Sequence, residues 1–326
     1  MRVTRRGAAA LLVIGASAVA MSTPAFAQGD KPPVRIVVGL AAGGTNDLIA
    51  RELAERLRAI TGEPHVVENK PGATQRIALG EVKKSEPDGR TLLLATNTPF
   101  SILPAVYGSK VGYDAVKDFT PIARVVKFDI GIATGPKVNA KSFADYVAWC
   151  KANPSQAAFG TPGAGTSSHF IGVMIGKAIG VPLAHVPYRG GTPAQTDLIG
   201  GHLPMLINGL ADMMPNHKAG KLTVVAVTGA KRSPLLPEAP TLKELGIEVD
   251  ADIAVDVYGP ASMAPDLVKR INANIVQALN VPETRSKLST YGVVIAPSTP
   301  QELAQAQLAE MKMWLEPVRA SGYTGE

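Results

Sequence analysis

The stretch of sequence that decides the fold reads VRIVVGLAAGGTND and occupies residues 34–47. Its first five residues form an apolar run of the kind found in strands that are buried on both faces of a parallel sheet. A glycine-rich turn follows, after which apolar residues recur at helical spacing in Ile49, Leu53, Leu57 and Ile60. A strand, a glycine turn and a helix in this order predict one unit of an α/β fold.

The same order of elements returns along the rest of the chain. Further strands are predicted at residues 66–67, 92–95, 157–159, 185–186, 205–207, 224–228 and 293–296. Further helices are predicted at residues 143–152, 170–178, 265–279, 282–291 and 300–314. Because strands alternate with helices, we expect parallel sheets with helices on both faces.

Two long apolar stretches, residues 122–133 and 251–259, are candidates for strands that cross between two lobes. The length of 326 residues also favours two domains over one. We therefore predict a first lobe of residues 28–127 plus 256–326 and a second lobe of residues 128–255.

The N-terminus has the organisation of a cleaved export signal. Residues 2–6 carry three arginines and precede an apolar run at residues 8–21, which is shorter than a bilayer-spanning helix usually requires. Residues 25–27, Ala-Phe-Ala, form a cleavage site, so the exported mature chain is predicted to begin at Gln28. A retained membrane anchor is the alternative, and the general and twin-arginine export routes both stay open.

Charge and cysteine content exclude several classes of protein. The full chain carries 33 basic and 27 acidic residues, a net charge of +6. Loss of residues 1–27 removes three arginines and no acid, which leaves a net charge of +3 and no basic stripe that would indicate nucleic-acid binding. Cys150 is the only cysteine, so an internal disulfide is impossible, and no residue spacing indicates a metal site.

The first glycine-rich turn, residues 39–47, is a candidate anion site. Gly43 and Gly44 permit positive φ angles and a close approach of a ligand to the backbone. Thr45 or Asn46 is the expected N-cap, and the N–H groups of the first helical turn would then point at an anion. Such groups can hold a carboxylate without Lys or Arg. A purely structural tight turn is the alternative.

A second turn, GTPGAGTSSH at residues 160–169, repeats this order, and a third stretch at residues 186–194 does so more loosely. Two such turns in separate halves could hold two ends of one ligand. Neither has the pattern of a phosphate loop or a dinucleotide fingerprint. Ser167, Ser168 and His169 are neighbours at a helix start without a Gly-x-Ser-x-Gly elbow, so no catalytic residue, metal or cofactor is predicted.

Together these segments resemble the Bug family of periplasmic solute receptors, the binding components of tripartite tricarboxylate transporters. The matching segments are residues 43–47, 50–51, 66–73, 87–89, 113–114, 117–119, 165–169, 185–190, 219–222 and 230–234. The resemblance covers nearly the whole mature chain. It implies an α/β fold like the type II periplasmic binding proteins, with two lobes of mixed, mostly parallel sheets that are joined by a two-strand hinge and close on a small carboxylate.

The resemblance also implies which positions bind the ligand. In the first lobe they are Gly43, Gly44, Thr45 and Asp47, with Thr96 and Asn97 at a strand end. In the second lobe they are Gly165, Thr166, Ser167 and Ser168, with Pro187, Tyr188 and Asn208 on the wall.

Three segments depart from the family pattern near the expected cleft. Residues 39–42 read GLAA in place of a Phe-x-Pro-like segment, residues 74–76 read TQR in place of Gly-Gly-Asn, and residues 256–258 read DVY where the family has Trp or similar bulk. Arg76 is a candidate to pair with a second acidic group of the ligand, and Asp256 is a candidate to receive an amine. The alternative for each is a solvated or locally paired charge.

The functional hypothesis is capture of a small organic carboxylate by a monomer and its delivery to the membrane subunits of a tripartite transporter. A periplasmic sensor that feeds a signalling receptor would use the same site, so the sequence leaves both open. A secreted hydrolase, which would depend on Ser167 or Ser168, is the third class considered.

Overall fold

The computed structural model describes residues 32–188, 190–249 and 251–325. The predicted export signal and the predicted mature terminus at Gln28 lie outside the described residues, as does Arg189 of the third glycine stretch. In the part that is described, no helix is both long and apolar enough to cross a membrane.

The strands of the described chain form two sheets. They are β1 (Val34–Val38), β2 (His65–Asn69), β3 (Thr91–Thr96), β4 (Phe119–Phe128), β5 (Ile130–Thr134), β6 (Ala158–Thr161), β7 (Ala184–Pro187), β8 (Met205–Gly209), β9 (Thr223–Val227), β10 (Ile253–Pro260) and β11 (Val294–Ile295). The first sheet has the order β11-β4-β10-β3-β1-β2 and the second has the order β7-β6-β8-β5-β9.

Both sheets are mixed. β1 pairs in parallel with β2 and β3, and β6 pairs in parallel with β7 and β8. Antiparallel pairs join β10 to β3 and β4, β11 to β4, and β5 to β8 and β9.

Helices cover the faces of these sheets. They are α1 (Thr45–Thr61), α2 (Arg76–Lys83), α3 (Thr98–Ser101), α4 (Leu103–Tyr107), α5 (Phe143–Ala152), α6 (Ser167–Ile179), α7 (Gly191–Ile199), α8 (Leu210–Lys218), α9 (Pro265–Asn280), α10 (Pro282–Ser289) and α11 (Pro300–Ser321). Short 3₁₀ turns occupy Gly108–Val111 and Pro154–Gln156.

Strand β1 shows why an apolar run suits this fold. Ile36 and Val38 point into a core that is shared with α1 and α9, whereas Val37 points into the opposite core with α2. Alternate residues of a strand face opposite sides of the sheet, so a strand that is covered on both sides must be apolar throughout. The second sheet is covered in the same way: Phe159 and Phe170 lie in one core, and Leu206 lies in the other.

The predicted crossing at residues 122–133 proves to be two strands of different sheets. β4 belongs to the first sheet and β5 to the second, and Asp129 alone separates them. The chain returns between β9 and β10, and β10 then pairs with β3 and β4 of the first sheet.

Helix α11 makes a third link between the two sheets. Leu303 packs into a core of the first sheet, while Trp314 and Val318 pack into a core of the second. The predicted division into lobes of residues 28–127 plus 256–326 and residues 128–255 stays a prediction. The end of α11 nevertheless shares its core with the second of those ranges.

Candidate functional site

The residues predicted to bind a ligand follow the carboxyl ends of the parallel strands. The first glycine turn follows β1, the second follows β6, and Thr96 ends β3. In open α/β sheets a ligand binds outside these strand ends. That the two turns face each other across a cleft stays a prediction.

The first turn is closed by Asp47, one helical turn into α1. The Gly43 N–H donates to Asp47 Oδ2 at 2.9 Å, and Arg51 Nε donates to the same oxygen at 2.9 Å. Burial alone would raise the pKa of Asp47, but the bonds from Arg51 and Gly43 outweigh it and lower the pKa. Asp47 Oδ2 therefore closes the turn, whereas Oδ1 is buried and has no partner among the described residues, and a contact of Asp47 with the ligand stays a prediction.

The N-cap of α1 is Gly44, not Thr45 or Asn46 as the sequence suggested. Gly43 has a φ of +81°, and Gly44 then returns to an extended conformation with a φ of −79°. Within the described residues, the N–H groups of Gly44, Thr45, Asn46 and Asp47 make no hydrogen bond. These four donors lie at the positive end of a 17-residue helix, where an anion is stabilised.

The second turn is closed in the same way, by a side chain four residues further along the chain. The Gly165 N–H donates to His169 Nδ1 at 3.3 Å, and Gly165 has a φ of +70°. Thr166 is the N-cap of α6: its hydroxyl donates to the Gly163 carbonyl at 2.9 Å and accepts from the His169 N–H. Thr161 donates to the same carbonyl at 2.9 Å, so two hydroxyls fix the turn.

Unused donors remain at the start of α6. In the described part of the chain, the N–H groups of Thr166, Ser167 and Ser168 and the hydroxyls of both serines make no hydrogen bond. Both serines are buried, at 6% and 3% exposure. Donors at a helix start that have no acceptor in the protein favour a bound anion, so this helix start stays a candidate anion-binding position.

His169 is not arranged as the base of a hydrolase. Its Nδ1 accepts from Gly165, which places the ring proton on Nε2, and its ring stacks on His185 at 3.9 Å between centroids. Desolvation lowers the pKa of His185 to about 4, and proximity to the His169 ring, where a second positive charge would be repelled, contributes to the shift. Among the described contacts, neither Ser167 nor Ser168 is bonded to a histidine nitrogen.

Sequence reasoning missed Gln75. This buried side chain donates from Nε2 to the Thr96 hydroxyl at 2.6 Å and accepts from the Thr96 N–H at 3.2 Å. Gln75 also lies so close to Gly39 that a Cβ atom there would be 2.6 Å from the Gln75 Cβ. Gln75 therefore joins the ends of β1 and β3 beside the first turn. Its only sequence signal was its place in a segment that departs from the family pattern.

Gln75 ends an unusual left-handed turn. Ala73, Thr74 and Gln75 have φ angles of 47°, 52° and 71°, although none is glycine. Such conformations are costly for L-residues and persist where the surrounding structure holds them. Helix α2 begins at the next residue, Arg76, so this turn fixes the position of the helix start and of the Arg76 backbone.

Arg76 contacts an aromatic ring and a backbone carbonyl with its guanidinium group. Its guanidinium lies 4.5 Å from the centroid of the Tyr107 ring, and its Nε donates to the Ala73 carbonyl at 3.0 Å. Within the described residues it pairs with no acid, and it is half-buried. Of the two alternatives for Arg76, a locally paired charge is thereby set aside.

Asp256 is a locally paired charge. It is fully buried, and its two carboxylate oxygens accept from Arg124 Nε at 2.8 Å and from Arg124 Nη2 at 3.1 Å. Arg124 also donates to Glu310 on α11 at 2.9 Å. Burial raises the pKa of Asp256 to about 6 despite the bonds from Arg124. The expectation that Asp256 receives a ligand amine is therefore corrected, because no face of it is open.

Asn97 was predicted to line the cleft, but the structure shows that its side chain connects neighbouring elements. Its Nδ2 donates to the Asp252 carbonyl at 3.1 Å and to Glu310 at 2.8 Å. Its Oδ1 accepts from the Ala254 N–H at 3.3 Å. The amide thus has partners on both sides and holds β10 and α11 to the end of β3.

The wall positions of the second sheet differ in what they offer. The Tyr188 hydroxyl donates to Asp197 at 2.8 Å, and burial with this bond raises the pKa of Tyr188 to about 12, so only its ring is open to a ligand. Pro187 is exposed at the end of β7. Asn208 is buried with Nδ2 unpartnered among the described residues, beside Gly191 at the start of α7.

Comparison with known proteins identifies relatives over most of the chain. Residues 49–322 match the model of the family described as tripartite tricarboxylate transporter family receptor. A Cupriavidus necator protein, described as UPF0065 protein in gbd 5'region, is 33% identical over 301 residues, which cover 91% of this chain and 90% of that protein.

Solved structures show the same architecture. The periplasmic binding protein BugD has a TM-score of 0.75 at 30% identity, with 89% of this chain and 98% of that chain covered. R. palustris Rpa4515, solved with adipate, has a TM-score of 0.78 at 28% identity, with 89% of this chain and 97% of that chain covered. These similarities confirm the predicted two-lobe α/β fold of a periplasmic binding protein.

Proposed function

The chain belongs to the tripartite tricarboxylate transporter receptor family, and on this premise we propose that it captures a small organic dicarboxylate in the periplasm and delivers it to the membrane subunits of a tripartite transporter. The proposal concerns binding and release without bond chemistry. Members of this family are periplasmic solute-binding proteins.

The observation that carries the proposal is the set of unused donors at the two helix starts. Each turn is closed internally, by Gly43 with Asp47 and by Gly165 with His169. Among the described residues, the next N–H groups of α1 and α6 have no acceptors, and Ser167, a buried residue, adds a hydroxyl beside them. A carboxylate supplies several acceptor sites for these donors and a negative charge for the positive end of each helix.

Arg76 supports a ligand with two acidic groups. Arg76 has no acidic partner among the described residues, and a guanidinium in this state can bind a carboxylate by paired hydrogen bonds. It lies at the start of α2, directly after Gln75, which contacts the end of β1. The similar Rpa4515 was solved with adipate, which is a dicarboxylate.

Calorimetry with adipate and hexanoate tests the proposal. The protein is first unfolded and refolded to remove any acid that it retained during purification. We expect one-to-one binding of adipate and weaker binding of hexanoate. The Ser167→Ala/Ser168→Ala variant loses about ten-fold or more in affinity, since hydrogen bonds to charged groups contribute about 1.5–3 kcal/mol each.

Ser289→Ala, on the exposed last turn of α10, is the matched control and leaves the affinity unchanged. Absence of heat for a panel of mono-, di- and tricarboxylates would contradict the proposed function. Delivery is tested by uptake of labelled adipate in cells with and without this protein. Uptake that is independent of the protein would argue against the transport role, and chemical change of the acid would argue for an enzyme.

A further inference from the structure

A short segment after α11 reaches the second glycine turn. Helix α11 ends at Gly322, whose φ of 65° turns the chain, and Tyr323 follows. The ring of Tyr323 lies on Gly165 so closely that a Cβ atom there would be 2.9 Å from Tyr323 Cε1. The same ring meets His169 edge-on, with 5.3 Å between centroids. Tyr323 therefore contacts both residues whose hydrogen bond closes this turn.

Two residues further on, the same segment reaches the aromatic ring beneath Arg76. A Cβ atom at Gly325 would be 2.5 Å from Tyr107 Cε1, so the backbone of Gly325 lies directly on that ring. Tyr107 in turn holds the Arg76 guanidinium at 4.5 Å. The Cα atoms of Tyr323 and Gly325 can be at most about 7 Å apart. A continuous chain of contacts thus runs from Gly165 to Arg76.

We propose that Tyr107 and Tyr323 are positioning residues that fix the separation between the second glycine turn and Arg76, and that they thereby select dicarboxylates by the length of the chain between the two carboxyl groups. The inference rests on the proposed function. The aromatic face of Tyr107 holds the guanidinium in place, while Tyr323 holds the turn whose donors receive the other carboxylate. The segment 322–325 ties the two positions together.

Packing supports a rigid rather than a loose link. Phe170 and Trp314 lie in the core of the second sheet, and Tyr323 packs against that core. Its ring is 6.3 Å from that of Phe170. Gly165 and Gly325 both have φ angles near +70°, so a side chain at either position would be strained as well as obstructed. The approach of Tyr323 and Tyr107 to the backbone thus depends on glycine at both places.

The test is a calorimetric affinity profile for the unbranched dicarboxylates succinate, glutarate, adipate, pimelate and suberate, with hexanoate as the mono-acid. We expect the wild type to favour one or two neighbouring lengths. Tyr323→Leu flattens this profile, because the turn is no longer held at one distance from Arg76. Tyr291→Leu, which changes a half-buried tyrosine beside the core of the first sheet, is the control and keeps the profile.

Tyr107 is tested by comparing its leucine and phenylalanine variants. Tyr107→Leu removes the ring and lowers the affinity for the preferred dicarboxylate by about two- to five-fold, the usual effect of a cation–π contact, while the affinity for hexanoate stays unchanged. Tyr107→Phe keeps the ring and restores the wild-type ratio. Circular dichroism confirms the fold of each variant.

The outcomes separate this inference from the proposed function. If the wild type binds none of these acids, the proposed function fails. If it binds them but Tyr323→Leu lowers every affinity by the same factor, the inference about chain length is overturned. Equal losses of adipate and hexanoate affinity in Tyr107→Leu overturn the positioning role of Tyr107. A wild type with no preference for two acidic groups overturns the inference as well.

Discussion

Replacement of Gln75 separates backbone strain from hydrogen bonding at the edge of the site. Gln75 has a φ of 71° and makes two hydrogen bonds to Thr96, at 2.6 and 3.2 Å, in a place that is 4% exposed. Gln75→Ala removes both bonds and keeps the strain. Gln75→Gly removes both bonds and relieves the strain, because glycine adopts positive φ angles freely. The two variants therefore differ chiefly in backbone energy.

The expected magnitudes follow from these contacts. Loss of Gln75 leaves the buried Thr96 N–H without its acceptor, which costs about 1–3 kcal/mol, and loss of the bond to the Thr96 hydroxyl adds about 1 kcal/mol. The left-handed conformation costs a non-glycine residue about 1–2 kcal/mol. We expect Gln75→Ala to lower the free energy of unfolding by about 2–4 kcal/mol, and Gln75→Gly to be about 1–2 kcal/mol more stable than Gln75→Ala.

Thermal unfolding of the ligand-free protein measures both effects. At about 2.1 cal/mol/K of unfolding entropy per residue, a chain of roughly 300 residues shifts its Tm by about 1.6 °C per kcal/mol. Gln75→Ala should therefore lose about 3–6 °C, and Gln75→Gly should recover about 2–3 °C of that loss. An alanine variant as stable as the wild type would refute the hydrogen-bond argument. A glycine variant less stable than the alanine variant would refute the strain argument.

Two further predictions concern buried charges and pH. Arg124→Leu leaves Asp256 buried without its partner and should cost about 3–5 kcal/mol at pH 7 in denaturant unfolding. The loss should be smaller at pH 5, because without Arg124 nothing offsets the rise in the pKa of Asp256 that burial causes, and such a carboxyl destabilises the fold increasingly as the pH rises from its unfolded pKa of about 3.9 towards its folded pKa; equal losses at both pH values would contradict this. For His185, whose pKa burial lowers to about 4, the stabilising contribution is present above about pH 6.5 and is lost as the pH falls towards 4. His185→Gln should therefore show a flatter fall of Tm between pH 7 and pH 4 than the wild type, and parallel curves would contradict that assignment.

Local sequence patterns were enough to predict the strand, turn and helix units. The run at residues 34–38 and the helical spacing from Ile49 to Ile60 are properties of neighbouring residues, and the structure has β1 and α1 there. The helix start was displaced by one residue, from Thr45 to Gly44. The reason is that Asp47 closes the turn through the Gly43 N–H, so no side-chain hydroxyl is needed as a cap.

The roles of single side chains could not be predicted where their partners are distant in sequence. Asp256 pairs with Arg124, 132 positions away, and Asn97 bonds to Glu310, 213 positions away. Nothing in the local sequence around these residues shows that their polar groups are already satisfied. The contact of Tyr323 with Gly165 could not be predicted for the same reason, because the two residues are 158 positions apart (323 − 165).

Helix α11 gives the molecule a fixed reference axis. Its two anchors, Leu303 and Trp314, are separated by eleven positions of the sequence, or about 16 Å of helix. A movement that separated the sheets along this axis would draw one anchor out of its core and expose it to water. For a fluorescent biosensor built on this protein, a pair of dyes along α11 would therefore give a constant signal. Under the proposed function, dyes placed beside the two glycine turns would report binding of the acid.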